Sequence, residues 1–196
     1  MDERSFFDEL SSTWDDNEIL STPEKIREIL SFIEIQKNED VLDLGTGTGV
    51  LLPYIAEKIG KQGKITAVDF SVGMLERARE KFNRLEPFPE FLNKDFEKEK
   101  IPGTYDHILL YSVYPHLQQP IATLNKLYRE NLKVNGDIII AFPCGPDFIN
   151  NIHKERHSES ELLPSATKLA SILSQAGFKA EVIAESKEIY LIKIKR

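Results

Sequence analysis

The chain has 196 residues, of which 41% are hydrophobic and 29% are charged, with a formal net charge of −7 and a pI near 5.2. This length suits one domain with a full hydrophobic core, and the composition is that of a globular protein. An acidic chain disfavours a broad nucleic-acid interface, which needs clustered Lys and Arg, and its one cysteine excludes an internal disulfide. The sequence contains neither an apolar run of ~20 residues nor a signal peptide, so we expect a cytoplasmic protein without a membrane span.

The first 36 residues are expected to form a helical cap on this single domain, 1–196. Four apolar side chains fall at roughly helical spacing in the acidic segment 1–22, namely Phe6, Phe7, Leu10 and Trp14. Thr22 and Pro23 then fit the N-cap and the first position of a further helix. The simplest interpretation of the cap is that it packs on the domain for stability.

A glycine-rich turn follows the first predicted strand, residues 41–44, and leads into a predicted helix at 50–59. Gly45, Gly47 and Gly49 remove the Cβ atoms that keep a ligand away from the backbone, and the following helix offers unpaired N–H groups. The spacing Gly-x-Gly-x-Gly differs from the dinucleotide fingerprint Gly-x-Gly-x-x-Gly, and no Gly-Lys-Ser/Thr sequence follows. The turn therefore predicts a nucleotide-like ligand but not a Walker-type phosphate loop.

Strands and helices alternate along the rest of the chain. Further strands are predicted at 65–68, 90–94, 105–111 and 137–142, with helices at 71–83 and 121–132. The chain ends differently, with a helix at 166–175 and two strands at 179–184 and 188–194 that a tight turn joins. This order predicts an α/β fold with a doubly wound, mainly parallel seven-stranded sheet and an antiparallel C-terminal hairpin.

Two acids complete the pattern around the glycine turn. Asp43 precedes the first glycine by two residues, and Asp69 ends the second predicted strand. The run 41–49, followed by Asp69, resembles the class I S-adenosylmethionine-dependent methyltransferases, and residues 40–142 carry this resemblance. In character the chain is similar to their small stand-alone ubiquinone/menaquinone-methyltransferase-like group. The resemblance implies a Rossmann-like methyltransferase fold, S-adenosylmethionine as cofactor, S-adenosylhomocysteine as product, and a small-molecule acceptor.

The resemblance also implies which residues bind the cofactor. Asp69, at the carboxyl end of a strand, can accept hydrogen bonds from both ribose hydroxyls, although it could instead cap the next helix. Asp43 either meets the methionine end or braces the turn from behind. Asp95 is expected at the adenine, with a solvated turn residue as the alternative. The complete expected set is Asp43, Gly45, Thr46, Gly47, Thr48, Asp69, Phe70, Met74, Asp95, Phe96 and Tyr111.

Three histidines are candidates for removing a proton from the acceptor. His116 follows the fourth strand, while His153 and His157 lie in the insertion 143–165, where relatives of this family contact the acceptor. Asn150 shares a helical face with them and is predicted to orient a histidine base. The alternative for His153 and His157 is that they are solvated, because the stretch 150–160 is polar and charged. No acid or cysteine pattern completes a metal site with them, so no metal is expected.

Two other functions stay open at this point. The first is a regulatory protein that binds S-adenosylmethionine without catalysis, because a fold and a cofactor site do not establish turnover. The second is a nicotinamide-dependent oxidoreductase, which Val50 in place of a third fingerprint glycine and the terminal hairpin disfavour. The resemblance further implies that the cap 1–36 folds over the cofactor as a lid. A nucleic-acid partner is not expected, and the oligomeric state is not predicted.

Overall fold

The computed structural model describes residues 3–17, 21–155 and 162–196. Within these ranges the strands are β1 Asp40–Leu44, β2 Lys64–Asp69, β3 Glu90–Asn93, β4 Tyr105–Tyr111, β5 Leu132–Phe142, β6 Lys179–Glu185 and β7 Tyr190–Lys195. They form one sheet in the order β3-β2-β1-β4-β5-β7-β6, in which β1 to β5 are parallel and β7 is antiparallel to both neighbours. The predicted α/β fold, with its mainly parallel seven-stranded sheet and antiparallel C-terminal hairpin, is confirmed.

Helices cover both faces of the sheet. The described ones are α1 Glu3–Leu10, α2 Trp14–Asn17, α3 Pro23–Ser31, α4 Leu52–Ile59, α5 Val72–Lys81, the 3₁₀ helix Tyr114–His116, α6 Pro120–Glu130, α7 Pro146–Glu155 and α8 Ala166–Gln175. On one face, α6 and α8 bury Leu124 and Leu169 against the sheet, and on the other face α3 and α4 bury Ile26 and Ile55. None of these helices combines the length and the apolar character that crossing a bilayer needs.

The start of β5 differs most from its prediction. A helix at 121–132 and a strand at 137–142 were the expected elements, but β5 already begins at Leu132. Leu132 pairs with Tyr105 of β4, and the register then shifts between Tyr105 and His107. Because Lys133, Asn135 and Gly136 interrupt the apolar pattern after Leu132, that pattern does not show this pairing, and the partner strand decides it.

A buried charge cluster lies at the amino ends of β4 and β5, away from the glycine turn. His107 Nδ1 lies 2.7 Å from Asp137 Oδ1, and its Nε2 lies 3.0 Å from Glu39 Oε2. Burial opposes the charged imidazole, but the hydrogen bond and charge of Asp137, together with Glu39, raise the pKa of His107 above its usual value. The imidazole of His107 therefore ties the segment before β1 to β4 and β5, and the two carboxylates favour its protonated form.

We expect His107→Gln to lower the free energy of unfolding by about 1.5–3 kcal/mol at pH 6, because charged hydrogen bonds are lost. Since the folded-state pKa is raised, this contribution is complete below the unfolded-state pKa of about 6.5 and shrinks as the pH rises through the folded-state pKa. Urea unfolding at pH 6 and pH 9 measures the change. Lys195→Gln, which removes an exposed ion pair with Glu181, is the control and should have little effect. An equal loss at both pH values would contradict a role for the charged imidazole.

Candidate active site

A cavity of about 720 Å³ opens at the carboxyl ends of the parallel strands, where open α/β sheets bind their ligands. Its volume falls in the range of roughly 300–1,000 Å³ that is typical of small-molecule sites. All predicted cofactor-binding residues except Asp43 line it: Gly45, Thr46, Gly47, Thr48, Asp69, Phe70, Met74, Asp95, Phe96 and Tyr111. The fold thus brings residues that follow β1, β2, β3 and β4 to one cavity.

The glycine turn after β1 presents its backbone to this cavity. The N–H groups of Gly45 and Thr46 donate to Val68 O, at 2.8 and 3.0 Å, and hold the turn against β2. Gly45 has a φ of 67°, and an added Cβ would lie 2.5 Å from Cγ2 of Val113, so a larger residue would displace Val113. At Gly47, where φ is 54°, an added Cβ would meet no atom within 4 Å. A ligand can therefore approach the backbone at Gly47.

Asp69 ends β2 and lines the cavity. Its Oδ2 accepts the N–H of Gly47 at 2.9 Å, and its Oδ1 accepts the N–H of Ser71 at 2.9 Å. The N-cap of α5 is Ser71, whose Oγ accepts the N–H of Met74 at 3.1 Å, so the alternative prediction that Asp69 caps this helix is wrong. Because each carboxylate oxygen has a further lone pair, Asp69 can still accept hydrogen bonds from a ligand.

Asp43 lies behind the turn and does not line the cavity. It is only 2% exposed, and its Oδ2 accepts the hydroxyl of Thr46 at 2.6 Å. Burial raises the pKa of Asp43 to about 7, an effect that the Thr46 hydrogen bond opposes and the charge of Asp69 increases. Burial likewise raises the pKa of Asp69 to about 6, against the hydrogen bonds that it accepts. The contacts of Asp43 brace the turn, which is one of the two roles considered from the sequence.

The loop after β3 lines the other end of the cavity with Asp95 and Phe96. Asp95 Oδ1 accepts the N–H of Glu97 at 3.1 Å, and Oδ2 accepts a hydrogen bond from Lys98 Nζ at 2.7 Å. Burial opposes ionisation, but the hydrogen bond and charge of Lys98 lower the pKa of Asp95 below its usual value. Asp95 is therefore an ionised acceptor that both shapes its turn and faces the cavity.

The N-terminal leader, residues 3–17, lies over the cavity, and its side chains Arg4, Phe7 and Trp14 line it. The ring centroid of Phe7 lies 5.8 Å from that of Phe70 and 5.5 Å from that of His116. Trp14 also packs against Phe7, with centroids 5.5 Å apart. Helical spacing in the sequence pointed to Phe7 and Trp14, whereas no sequence signal pointed to Arg4.

Two aspartates attach the leader to the domain. Asp8 Oδ1 accepts the hydroxyl of Ser71 at 2.5 Å and the N–H of Gly73 at 3.0 Å, at the start of α5. A carboxylate at a helix N-terminus is favourable because the N–H groups there are unpaired. Asp15 Oδ1 accepts the hydroxyl of Thr48, in the glycine turn, at 2.5 Å. These bonds hold the leader over the site.

The turn after β4 carries His116 to the cavity. Ser112, in the same turn, also lines the cavity and has a φ of 58°, in the left-handed region that residues other than glycine rarely adopt. Its N–H donates to Ala141 O at 2.8 Å. The hydroxyl of Tyr111 lies 2.8 Å from Ser21 Oγ, just before α3. Unusual backbone conformations of this kind concentrate at functional sites, and Ser112 lies at the end of the fourth predicted strand.

The insertion 143–165 was predicted to contact the acceptor. His153 belongs to α7, but its side chain and the whole of His157 lie outside the described residues. No described residue of the insertion lines the cavity. Asn150 was predicted to orient a histidine, but its Nδ2 donates to Leu163 O at 2.9 Å and its Oδ1 accepts the N–H of Leu163 at 2.7 Å. Its amide therefore holds the insertion together.

Comparison with known proteins agrees with this geometry. Residues 42–138 match the family described as a methyltransferase domain. The malonyl-[acyl-carrier protein] O-methyltransferase of Acetivibrio thermocellus is 34% identical over 103 residues, which cover 53% of this chain and 34% of that protein. The (S)-coclaurine N-methyltransferase of Thalictrum flavum subsp. glaucum is 32% identical over 116 residues, which cover 59% of this chain and 32% of that protein. The chain thus spans about a third of the length of these curated relatives.

A solved S-adenosylmethionine-dependent methyltransferase from Aquifex aeolicus has a TM-score of 0.76 at 25% identity, over 96% of this chain and 97% of that chain. Together with the sheet order and the cavity, this defines the fold of the class I S-adenosylmethionine-dependent methyltransferases. The chain carries a methyltransferase domain of this class, and S-adenosylmethionine is its cofactor, which confirms the predicted class and cofactor. The site fits that molecule, because it combines an open glycine backbone, a buried carboxylate at Asp69 and aromatic side chains.

Proposed function

We propose that the protein transfers the methyl group of S-adenosylmethionine to a small-molecule acceptor. The observation that carries this proposal is the single cavity on which the glycine turn, Asp69, Asp95 and the turn after β4 converge. The names of the relatives include O- and N-methyltransferases, so they support the reaction type and leave the acceptor atom open. We further propose that the chain belongs to the ubiquinone/menaquinone-methyltransferase-like group that its sequence resembles, and this resemblance favours a small molecule over a macromolecule.

Each part of the cavity has its own task in this proposal. Asp69 accepts hydrogen bonds from the two ribose hydroxyls, and the turn 45–48 receives the methionine end. Asp95 and Phe96 contact the adenine. When bound, the cofactor supplies an electrophilic methyl group on a sulfonium, at the end of the cavity that Tyr111 lines. The acceptor then enters from the side of the turn after β4.

Methyl transfer from a sulfonium is an in-line displacement, so the protein contributes alignment, exclusion of water and removal of the acceptor's proton. We assign the removal of this proton to His116, because its imidazole has a nitrogen that can accept a proton and lines the cavity. Phe7 packs edge-on against its ring, which restricts the orientation of the imidazole. The leader acts as the cap that excludes water. His153 and His157 stay predictions for the same role.

Separate measurements of binding and of turnover test the proposal. Calorimetry with S-adenosylmethionine, and with NAD as the control ligand, should show binding of the first only. Radiolabelled S-adenosylmethionine should then transfer its methyl group to at least one member of a panel of phenols, amines, thiols and carboxylates. Binding without transfer to any of these classes would favour the alternative of a cofactor-binding protein without catalysis. A protein that does not bind S-adenosylmethionine contradicts the proposal altogether.

Cofactor affinity is expected to fall as the pH is lowered from 8 to 5. Burial raises the pKa of Asp43 to about 7 and that of Asp69 to about 6, so both carboxylates become neutral over this range. Since the proposed ribose hydrogen bonds favour the ionised form of Asp69, affinity should drop by up to about tenfold per pH unit below about 6. Calorimetry across this range measures the effect. Asp43→Asn should lose only the pH dependence of the affinity near pH 7. A wild-type affinity that does not change with pH would contradict the role given to the ionised carboxylates.

A further inference from the structure

Two loops line the cavity from different strands of the sheet. The adenine-side loop, residues 94–104, follows β3, while the acceptor-side turn, residues 112–119, follows β4 and carries His116. Because β2 and β1 lie between β3 and β4, the two loops begin about 14 Å apart. Methyl transfer depends on the alignment of groups at both ends, and small displacements cost large factors in rate. The contacts that join the two loops therefore affect the rate of methyl transfer.

Glu97, in the adenine-side loop, makes this connection with its carboxylate. Its Oε2 accepts the N–H of Gln118 at 2.9 Å, and its Oε1 accepts the N–H of Gln119 at 3.0 Å. Oε1 also accepts the hydroxyl of Thr123 at 3.0 Å. Gln119 is the N-cap of α6 and makes no side-chain capping bond, so Glu97 supplies the acceptor and the negative charge that this helix start favours. One carboxylate thus receives three donors from the segment that follows His116.

Lys126 completes the connection from α6. Its Nζ donates to the carbonyl oxygens of Phe96 at 2.5 Å, Glu97 at 3.1 Å and Glu99 at 3.1 Å. An ammonium group has three N–H donors, and these three carbonyls satisfy them. Hydrogen bonds with one charged partner are stronger than neutral ones. The adenine-side loop is therefore attached to α6 twice, by its backbone through Lys126 and by the side chain of Glu97.

We propose that Glu97 is a positioning residue that holds the acceptor-side turn in a fixed position relative to the adenine-side loop. Through this connection, a ligand bound at the adenine end makes the acceptor-side turn more ordered. The inference rests on the proposed function, because it takes Asp95 and Phe96 as the adenine contacts. A ligand that restrains Asp95 and Phe96 also restrains the adjoining Glu97. Two hydrogen bonds of its carboxylate, from the N–H groups of Gln118 and Gln119, pass that restraint to the turn that carries His116, and the third fixes the carboxylate to α6 through Thr123.

The geometry also indicates which substitution breaks the connection with least disturbance. Glu97→Gln keeps the shape of the side chain but replaces one acceptor oxygen with an NH₂ group. That NH₂ group would face a donor of the acceptor-side turn or of Thr123, since every partner of the carboxylate is a donor. At least one of the three bonds is then lost, and the negative charge at the start of α6 is removed.

Amide hydrogen exchange with S-adenosylhomocysteine as the probe tests the proposal. In the wild type, saturation should slow exchange across the acceptor-side turn by about tenfold or more, including the amides of Gln118 and Gln119. In Glu97→Gln the slowing should fall to about twofold or less. Glu130→Gln is the matched control, because Glu130 is exposed at the end of α6 and does not line the cavity, and it should keep the wild-type response.

Calorimetry and melting temperatures separate this role from general destabilisation. A folded Glu97→Gln variant that binds S-adenosylhomocysteine and slows exchange in the acceptor-side turn as the wild type does would overturn the inference. So would a wild type that binds the probe without any slowing. A wild type that does not bind the probe overturns the proposed function as well, and calorimetry shows that case directly. If Glu97→Gln does not fold, Glu97→Asp keeps the charge but draws the carboxylate back from Gln118 and Gln119, and it should show the same loss.

Discussion

Asp69→Ala is expected to weaken S-adenosylmethionine binding by about 10- to 150-fold, equivalent to about 1.5–3 kcal/mol, while the domain stays folded. The first cause is the loss of an ionised acceptor for the two ribose hydroxyls. The structure adds a second cause, since the N–H groups of Gly47 and Ser71, each 2.9 Å from the carboxylate, lose their acceptor. The glycine turn then loses its link to the end of β2, so binding at the methionine end should also weaken.

Calorimetric titration measures this loss, and Trp14 offers an independent signal because it is the only tryptophan and lines the cavity. Asp69→Asn retains one acceptor oxygen and should lose less affinity than Asp69→Ala. Asp147→Ala removes an exposed acid outside the cavity and should bind like the wild type. Unchanged affinity in a folded Asp69→Ala variant would remove Asp69 from the site.

His116→Ala is expected to lower turnover by about 100-fold for an acceptor that must lose a proton, with cofactor affinity nearly unchanged. The imidazole lines the cavity on the β4 side, and Phe7 packs against it with ring centroids 5.5 Å apart. The variant should lose only the contribution of the base, so its turnover of an acceptor that needs no proton removal should stay close to that of the wild type.

Steady-state kinetics from pH 6 to 9, with the acceptor found in the screen, provide the measurement. His107→Gln is the control, because His107 is buried at the opposite end of the strands and belongs to the charge cluster with Asp137. Under conditions where it is folded, this variant should keep the wild-type profile. Full activity of His116→Ala over the whole pH range would transfer the role to His153 or His157.

The cofactor end of the site could be predicted from the sequence because its residues directly follow strands. Gly45, Asp69 and Tyr111 come at the ends of β1, β2 and β4, and Asp95 follows β3 within two residues. Apolar patterns locate the strands, and parallel strands place their carboxyl ends at the same edge of a sheet. The assembly of these residues around one cavity therefore follows from topology once the strands are recognised.

The acceptor end could not be predicted in the same way. Arg4 lines the cavity without belonging to any motif, because it comes from the leader, and no sequence pattern predicts the left-handed backbone of Ser112. Asn150 was predicted from its helical spacing to be the partner of a histidine. In the structure its amide bonds to the backbone of Leu163. Helical spacing tells which side chains share a face but not what that face contacts.

By itself, the sequence determined the succession of strands and helices, the glycine turn and the acid that ends β2, because these depend on local periodicity and on the backbone freedom of glycine. Only the tertiary structure decided that Asp43 supports the turn from behind, and that Phe7 lies against both Phe70 and His116. It also decided that Glu97 binds the turn after another strand. Such contacts join segments far apart in the chain, and the packing of the whole domain, which no local pattern records, brings them together.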